Sequence, residues 1–264
     1  MTNLKVRIAN VPAWLLIAMV CIIIAGISVS VIRRPVDKTW AQVRESGVVR
    51  FGMDAGFMPF DGLTASGEFV GLDADLAREM AKRLGLRAEF VQVGADRLYD
   101  TMLTGQYDAI ISALTPDAAR TQDFSYTAPY FDAGLVLVVP TGSNMSDLRG
   151  RTLAAEVGSD GDDRARWLAR RTVGLRVLER DTPDEAMQAV ESGQADAALT
   201  DTAMARQYVA THPALRVGPR QTSNPFVIAV RANAPDFLRA LDRALAQVKA
   251  DGALVRITAR WLDR

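Results

Sequence analysis

Two separate stretches of the chain repeat one short pattern, and this repeat restricts the fold more than any other sequence feature. Residues 104–109 read TGQYDA and residues 192–197 read SGQADA. Each stretch lies between a predicted helix and a short apolar segment typical of a buried strand. The repeat favours two similar α/β lobes whose strand ends face each other across a cleft. The alternative is that helix, glycine and strand form a common local arrangement in two unrelated places.

The first copy of the repeat leads into a predicted ligand site at residues 108–120. Residues 109–114 are mostly apolar and too short for a helix, so we expect a buried strand there. Residues 115–117 suit the first turn of a following helix. The polar groups near the strand end are Ser112, Thr115, free backbone amides and Arg120. In open α/β sheets ligands bind beyond the carboxyl ends of the strands, so this corner predicts a carboxylate site.

The order of the predicted elements indicates a mainly parallel sheet in each half of the chain. Residues 48–114 alternate strand, helix, strand, helix and strand, and residues 152–200 do the same. Strands joined by helices run parallel through right-handed crossovers. We therefore expect an α/β two-lobe fold with crossings between the lobes at residues 135–139 and 226–230. Hinge closure around a ligand is the natural motion of such a fold.

The predicted organisation has four parts. Residues 1–34 form an N-terminal signal anchor or signal peptide, and residues 35–47 form a polar linker that contains a short helix. The first lobe consists of residues 48–137 and 230–264, and the second lobe of residues 138–229. The first lobe is thus discontinuous and takes the C-terminal helices.

The composition excludes several classes of function. Lys and Arg together number 31, as do Asp and Glu, so no charge excess indicates a nucleic-acid partner. Cys21 is the only cysteine and His212 the only histidine. One cysteine cannot form a disulfide within the chain, and one histidine leaves a zinc cluster or a Ser-His-Asp triad without most of its usual residues. We expect no metal, no cofactor and no enzymatic activity.

The N-terminal segment predicts export. Residues 11–32 contain no charged residue and follow Lys5 and Arg7. About 20 apolar residues span a bilayer, whereas the apolar core of a signal peptide has about 7–15. An uncleaved transmembrane anchor is therefore favoured over a cleaved signal peptide. Either interpretation places the remainder outside the cytoplasm, in the periplasm or at the cell surface.

Five stretches of the chain match the motifs of one known family. They are residues 54–60 (DAGFMPF), 71–77 (GLDADLA), 108–120 (DAIISALTPDAAR), 124–130 (FSYTAPY) and 192–201 (SGQADAALTD). Through them the chain resembles the periplasmic solute-binding proteins of the polar amino-acid uptake family (family 3), which have the type II two-lobe binding fold. The resemblance implies that an amino acid binds between the lobes and is delivered to the permease of an ABC transporter. We expect a monomer.

The resemblance also implies roles for individual residues. Arg120 corresponds to the arginine that clamps the ligand α-carboxylate with a bidentate fork. Thr115 and the Ala113 backbone would add donors and acceptors around the carboxylate and the amine. Asp201 would bind the α-ammonium group from the other lobe. Phe57 would cover the aliphatic part of the ligand or stack on its head group.

The chain departs from the family pattern at acidic positions. Ser159 and Asp160 stand where relatives often have two small or hydroxyl residues beside the carboxylate site, and Glu156 stands where relatives commonly have a neutral residue. Together with Asp54, Glu156 and Asp160 would make the pocket acidic. An acidic pocket favours a basic amino acid such as arginine, lysine or ornithine. The alternative is that Asp160 caps the following helix and Glu156 points to solvent.

Three functions are compatible with these features. The first is an amino-acid-binding protein that serves an ABC importer. The second is a membrane-anchored, amino-acid-sensing ectodomain that signals through a partner protein, because the predicted anchor would hold the domain at the membrane. The third is a dehydratase or lyase on the same fold. Glu156 is the one obvious candidate acid for such an enzyme, and no base lies near it in sequence.

Overall fold

Two five-stranded sheets form the framework of the described chain. The computed structural model describes residues 37–143, 145 and 147–263. The predicted signal segment at residues 1–34, with its apolar run at residues 11–32, lies outside these residues. Within the described ranges, no helix is long and apolar enough to cross a membrane.

The first sheet forms the framework of the first predicted lobe. Its strands are β1 (Val48–Met53), β4 (Arg87–Gln92), β5 (Ala109–Ile110), β6 (Phe124–Tyr126) and β14 (Ala229–Arg231). They lie in the order β4-β1-β5-β14-β6. β1 runs parallel to β4 and β5, whereas β14 runs antiparallel to β5 and β6. A separate hairpin pairs β2 (Gly62–Leu63) with β3 (Phe69–Val70).

Helices from both ends of the described chain surround the core of the first sheet. They are α1 (Lys38–Ser46), α2 (Leu72–Arg83), α3 (Leu98–Leu103), α7 (Pro235–Ala250) and α8 (Ala253–Leu262). α2 has acidic residues in its first turn and basic residues in its last, as the helix dipole favours. α1 lies in the predicted linker, yet Val43 is buried and Trp40 stacks on Phe237 with ring centroids 5.8 Å apart. Helix α1, which lies in the predicted linker, is therefore packed into the core of the first sheet.

The second sheet repeats the arrangement of the first. Its strands are β8 (Leu135–Pro140), β9 (Thr152–Glu156), β10 (Arg176–Arg180), β11 (Ala197–Asp201) and β12 (Leu215–Arg220), in the order β10-β9-β11-β8-β12. β9 runs parallel to β10 and β11, whereas β8 runs antiparallel to β11 and β12. The helices are α4 (Asp160–Ala169), α5 (Pro183–Glu191) and α6 (Thr202–Thr211). The prediction of two similar α/β lobes is confirmed.

The repeated sequence pattern has the same structural role in both sheets. Gly105 and Gly193 follow a helix with left-handed φ angles of 79° and 72°, which glycine adopts without steric cost. Asp108 then accepts a hydrogen bond of 3.0 Å from the backbone N–H of Arg50 in β1. Asp196 accepts one of 2.8 Å from the first residue of β9. Each aspartate thereby holds the start of its strand beside the neighbouring parallel strand.

The two sheets are connected through a ribbon of short paired strands. β7 (Phe131–Asp132) pairs antiparallel with β13 (Pro225–Phe226). Beyond β7, Gly134 lies so close to Thr222 that an added Cβ would be 2.2 Å from the Thr222 carbonyl oxygen. The predicted crossings at residues 135–139 and 226–230 are instead occupied largely by β8 and β14, because these apolar runs are buried as sheet strands. The chain crosses a few residues earlier, at the ribbon.

The segment after β5 differs from the sequence-based expectation. β5 ends at Ile110, and the predicted helix is a single turn of 3₁₀ helix, Ala118–Arg120. The turn thus follows residues 115–117 instead of including them, and Asp117 caps it by accepting a 2.9 Å hydrogen bond from the Ala119 N–H. Ala113 has a left-handed φ of 43°. This conformation turns the chain out of the strand, so the predicted strand over residues 109–114 is cut short.

Candidate functional site

A cavity of about 880 Å³ lies where strand ends of the second sheet meet the turn that follows β1. β9 and β11 end at Glu156 and Asp201, and both residues line the cavity together with the first turns of α4 and α6. The opposite wall comes from residues 57–60 after β1. The connecting segments beside the ribbon complete the walls at residues 133–135 and 222–224. This is the position at which open α/β sheets bind ligands.

The predicted site residues fall into two groups. Phe57, Ser159, Asp160 and Asp201 line the cavity. The remaining predicted residues are not part of its walls, and all of them belong to the first sheet side: Asp54, Ser112, Ala113, Thr115 and Arg120. The structure therefore brings together the second-lobe half of the predicted site and one aromatic residue of the first lobe.

The cavity is predominantly acidic. Its lining contains the carboxylates of Glu156, Asp160, Asp163 and Asp201 but only one basic side chain, Arg164. Groups of one charge within a cleft attract ligands of the opposite charge. The arrangement can therefore hold a ligand with one or more ammonium or guanidinium groups.

Asp201 combines a structural contact with an available oxygen. Its Oδ1 caps α6 and accepts hydrogen bonds from the backbone N–H groups of Ala203 at 2.9 Å and Met204 at 3.0 Å. Its Oδ2 has no hydrogen-bond partner among the residues that the structure describes. The two functions anticipated for this residue, helix cap and ligand contact, are thus geometrically compatible.

The start of α4 forms a second acidic edge of the cavity. Ser159, rather than Asp160, caps this helix, because its Oγ accepts from the Asp162 N–H at 3.2 Å and donates to the Glu156 carbonyl at 2.7 Å. The alternative role for Asp160 as the helix cap is therefore wrong. Asp160 is exposed within the cavity, and Glu156 is half-buried in its wall rather than pointing away from it. The packing of α4 is close, since an added Cβ on Gly161 would lie 2.6 Å from the Leu199 carbonyl.

Phe57 offers an accessible aromatic face. Its side chain is 56% exposed and stacks on Phe60 with ring centroids 5.6 Å apart. Its backbone N–H donates to the Asp61 carboxylate at 2.9 Å, which fixes the turn. A large exposed apolar side chain at the edge of a cavity is suited to contact a ligand rather than the core.

Arg120 is held with the outer end of its guanidinium group available. Its guanidinium carbon lies 4.4 Å from the ring centroid of Tyr99, and its Nε donates to Asp117 Oδ2 at 3.1 Å. Neither of its Nη atoms has a hydrogen-bond partner in the described part of the chain. The stacking and the ion pair orient the planar fork, which is the geometry that binds a carboxylate through two parallel hydrogen bonds.

Ser112, Ala113 and Asp54 are joined to one another and to buried acids. The Ser112 hydroxyl accepts from the Asp54 N–H at 3.0 Å and donates to Asp61 Oδ2 at 2.7 Å. The Ala113 N–H donates to Asp73 Oδ2 at 2.6 Å. These donors are thus already engaged. Thr115 is exposed on the segment that follows them.

Asp61 and Asp73 were not anticipated as part of the site. Both carboxylates are fully buried. Burial raises the pKa of Asp61 to about 6 and that of Asp73 to about 8, although hydrogen bonds from Ser112 and Ala113 respectively act in the opposite direction. A sequence signal existed for Asp73, because it shares the buried face of α2 with Leu76, Ala77 and Met80. An aspartate in the first turn of a helix also suits the helix dipole, so the sequence does not distinguish a buried role from an exposed one.

Two known proteins and one solved structure are similar to this chain over most of its length. The chain is 28% identical over 224 residues to "ABC transporter arginine-binding protein 1" of Escherichia coli (strain K12), which covers 82% of this chain and 91% of that protein. It is 25% identical over 227 residues to "L-cystine-binding protein TcyJ" of the same strain, covering 83% and 84%. A crystal structure of an ancestral cyclohexadienyl dehydratase has the same fold, with a TM-score of 0.72 at 23% identity, covering 88% of this chain and 99% of that one.

The family assignment rests on a match that spans both sheets. The family described as "Bacterial extracellular solute-binding proteins, family 3" matches residues 49–264, which includes every described strand after the first residue of β1. The two-lobe fold and the motifs at residues 54–60, 71–77 and 192–201 agree with this match. The chain therefore belongs to family 3 of the bacterial extracellular solute-binding proteins.

Proposed function

We propose that the protein binds an amino acid between its two lobes, outside the cytoplasm, and delivers it to the permease of an ABC importer. The observation that supports this function best is the placement of complementary charges on the two lobes. The free fork of Arg120 belongs to the first lobe, and the available Oδ2 of Asp201 belongs to the second. An α-amino acid carries a carboxylate and an ammonium group that match these two charges.

Closure of the lobes completes the site in this proposal. Arg120, Thr115, Ser112, Ala113 and Asp54 lie outside the cavity wall, whereas Asp201 and Ser159 are within it. A rotation about the β7–β13 ribbon would bring the two groups to the same ligand. We place the moving bodies close to the predicted lobes, residues 48–137 with 230–264 and residues 138–229, but with the boundary at the ribbon, so that all of β8 moves with the second sheet and all of β14 with the first.

The acidic lining favours a basic amino acid. Glu156, Asp160 and Asp163 surround the part of the cavity beyond Asp201. A ligand side chain with an ammonium or guanidinium group would neutralise charges that otherwise repel one another. The arginine-binding relative supports this preference.

Location and assembly are part of the same proposal. Residues 11–32 would tether the protein to the cytoplasmic membrane, with residues 37–264 on the outer side. We propose a monomer, because the proposed ligand contacts need no second chain. Resistance of the membrane-bound protein to alkaline carbonate extraction tests the tether, and sedimentation of residues 37–264 tests the monomer.

Thermal melting against a panel of amino acids tests the central function. A ligand at 100 times its dissociation constant adds about 2.7 kcal/mol to the free energy of unfolding. We expect such a shift with at least one amino acid and its loss in Arg120→Ala, because truncating one partner of a buried charge pair costs about 2–5 kcal/mol. Arg97→Ala is the matched control, because Arg97 is an exposed arginine that is not among the predicted site residues.

Asp201→Asn separates ligand binding from helix capping. Asparagine caps helices about as well as aspartate, so the unliganded protein should melt at nearly the wild-type temperature. The lost charge should still weaken amino-acid binding at least about tenfold. In the melting experiment, a wild-type protein whose melting temperature shifts with no amino acid contradicts the proposed function. Normal binding by Arg120→Ala contradicts the assignment of Arg120 to the ligand carboxylate.

An enzyme on the same fold is the second candidate, because an ancestral cyclohexadienyl dehydratase has the same fold. Turnover of a cyclohexadienyl substrate by the purified protein would support it. A sensing ectodomain is the third candidate. Amino-acid uptake that depends on this protein in cells distinguishes an importer component from a sensor.

A further inference from the structure

One basic side chain in the cavity has no carboxylate partner. Arg164 lines the cavity with four acidic residues, and Asp160 precedes it by one helical turn, a spacing at which opposite charges commonly pair. Yet Arg164 forms no salt bridge with any residue that the structure describes. Arg166, two residues later, pairs with both Asp162 and Glu179. The charge of Arg164 is therefore available in a ligand cavity.

The guanidinium group of Arg164 is nevertheless held in place. Its carbon lies 4.2 Å from the ring centroid of Trp167, which also lines the cavity. Its Nη2 makes only a long hydrogen bond of 3.4 Å, to the carbonyl of Gln221. Its Nε is buried and has no acceptor among the described residues. Stacking on an indole ring orients the guanidinium group, and its Nη atoms can donate to the oxygens of a ligand.

The chemistry of this fork restricts the ligand. A guanidinium group only donates hydrogen bonds and binds carboxylates through two of them. In the proposed function Arg120 takes the α-carboxylate, so Arg164 matches a second one. The acids beside Arg164 (Glu156, Asp160 and Asp163) match a second ammonium group. The volume of about 880 Å³ lies in the range that holds drug-sized molecules, which leaves room for a ligand with two such ends.

We infer that Arg164 binds a second carboxylate of the ligand, and that the ligand is a diamino dicarboxylic acid with an amino-acid group at each end. Arg120 and Asp201 bind one end, and Arg164 with its acidic neighbours binds the other. Trp167 positions Arg164 for this contact. This inference rests on the proposed function, and it narrows the ligand from basic amino acids in general to those that carry a second carboxylate.

Calorimetric titration of the full chain with two matched ligands tests the inference. meso-2,6-Diaminopimelate and L-lysine share one carbon chain and two amino groups and differ by one carboxylate. L-Cystine supplies a second dicarboxylate with a different linker. We expect the wild-type protein to bind at least one dicarboxylate about 10–100-fold more tightly than L-lysine, the range for a hydrogen-bonded charge.

Arg164 and Arg171 both stack on Trp167, and replacing each in turn shows which one binds the second carboxylate. Arg164→Gln should remove the preference for the dicarboxylate and leave binding of L-lysine nearly unchanged. Arg171→Gln is the control, because Arg171 also lies 4.2 Å from the Trp167 ring centroid but does not line the cavity. It should keep the preference. Melting of both variants without ligand verifies that each is folded.

Each remaining outcome overturns the inference in a distinguishable way. If the wild-type protein binds L-lysine or L-arginine at least as tightly as both dicarboxylates, the inference fails and the proposed function stands. If Arg164→Gln and Arg171→Gln change the preference equally, the second carboxylate is not bound by Arg164. If no amino acid binds, the proposed function and the inference fail together.

Discussion

At the scale of single residues, the carboxyl groups near the site have different environments and therefore different chemistry. Asp160 is exposed in the cavity, and Asp201 shares its carboxylate between a helix cap and the cavity. Asp61 and Asp73 are fully buried beside Ser112 and Ala113, two of the proposed first-lobe contacts. Asp73 holds the Ala113 N–H and Asp61 holds the Ser112 hydroxyl. The buried pair thus sets the backbone that carries Thr115 and Arg120.

The buried acid Asp73 should make stability depend on pH. Burial raises its pKa to about 8, whereas an exposed aspartate has a pKa of about 3.9. Between these values the folded chain retains a proton that the unfolded chain has lost, so the free energy of unfolding falls as pH rises. Asp61, with a pKa of about 6, contributes in the same direction at lower pH. The melting temperature should therefore fall by several degrees from pH 6 to pH 8.

Asp73→Asn isolates this effect. Asparagine keeps an acceptor for the Ala113 N–H and cannot ionise, so the melting temperature should become nearly independent of pH between pH 6 and pH 8. Asp184→Asn, which removes an exposed carboxylate from the first turn of α5, should retain the wild-type slope. Equal slopes in wild type and Asp73→Asn would show that Asp73 is not the group that titrates.

At the scale of elements, helix starts and strand ends converge on the cavity. α4 begins four residues after the end of β9, and α6 begins directly after β11. The positive ends of both helix dipoles therefore face the cavity, where Asp160 and Asp201 lie. α4 also carries Arg164 and Trp167, so the position of this one helix determines much of the acidic wall.

Gly161 should control the position of α4. An added Cβ would lie 2.6 Å from the Leu199 carbonyl oxygen in β11, which forces the helix away from the sheet. Helix propensity alone predicts that Gly161→Ala stabilises the protein by about 1 kcal/mol. We expect the opposite, a loss of about 1–3 kcal/mol from overpacking, together with weaker ligand binding.

Chemical denaturation measures the free energy of unfolding for this comparison. Gly56→Ala is a suitable control, because its added Cβ would meet only the Asp54 carboxylate at 3.8 Å. If Gly161→Ala is as stable as the wild-type protein and binds the ligand with unchanged affinity, α4 tolerates being moved away from β11 and our expectation is wrong.

At the scale of the whole molecule, the two similar sheets are linked by a short ribbon, and α6 beside the second sheet also contacts α8 beside the first, with an ion pair between Arg206 and Asp263. The β7–β13 ribbon joins them, and Gly134 packs directly on Thr222 beside it. Arg120, the proposed carboxylate contact of the first lobe, is not part of the cavity wall. A binding site divided in this way should gain its last contacts only when the sheets approach each other.

Ligand binding should therefore make the protein more compact. Residues 37–264 form one compact unit, so small-angle X-ray scattering of this segment can report its radius of gyration. We expect the radius to decrease when a bound amino acid saturates the site. Arg120→Ala should stay at the unliganded value, because one lobe has lost its contact with the ligand. An unchanged radius in the saturated wild-type protein would exclude closure.

The sequence alone determined the two-lobe architecture and, among the nine predicted site residues, the four that the structure places in the cavity wall. The repeat at residues 104–109 and 192–197 predicted two similar lobes, because glycine after a helix and aspartate before a buried strand are local requirements that any such unit shares. The apolar and polar periods of β1, α2 and the later elements follow from the same local preferences. Local patterns also identified the four predicted residues that line the cavity, because each is adjacent to a strand end or a turn. These residues are Phe57, Ser159, Asp160 and Asp201.

Only the tertiary structure decided how distant groups are paired. Asp73 is buried against Ala113, 40 positions away, and Asp61 against Ser112, so the short strand β5 and its irregular exit depend on contacts that no local pattern records. The same holds for Arg164. Three aspartates lie within four positions of it in sequence, yet it forms no salt bridge with any of the described residues. Its orientation follows from the Trp167 ring and the Gln221 carbonyl, the second of which lies on a distant segment. Charge and burial depend on what surrounds a side chain in space, and this is why only the folded chain determines them.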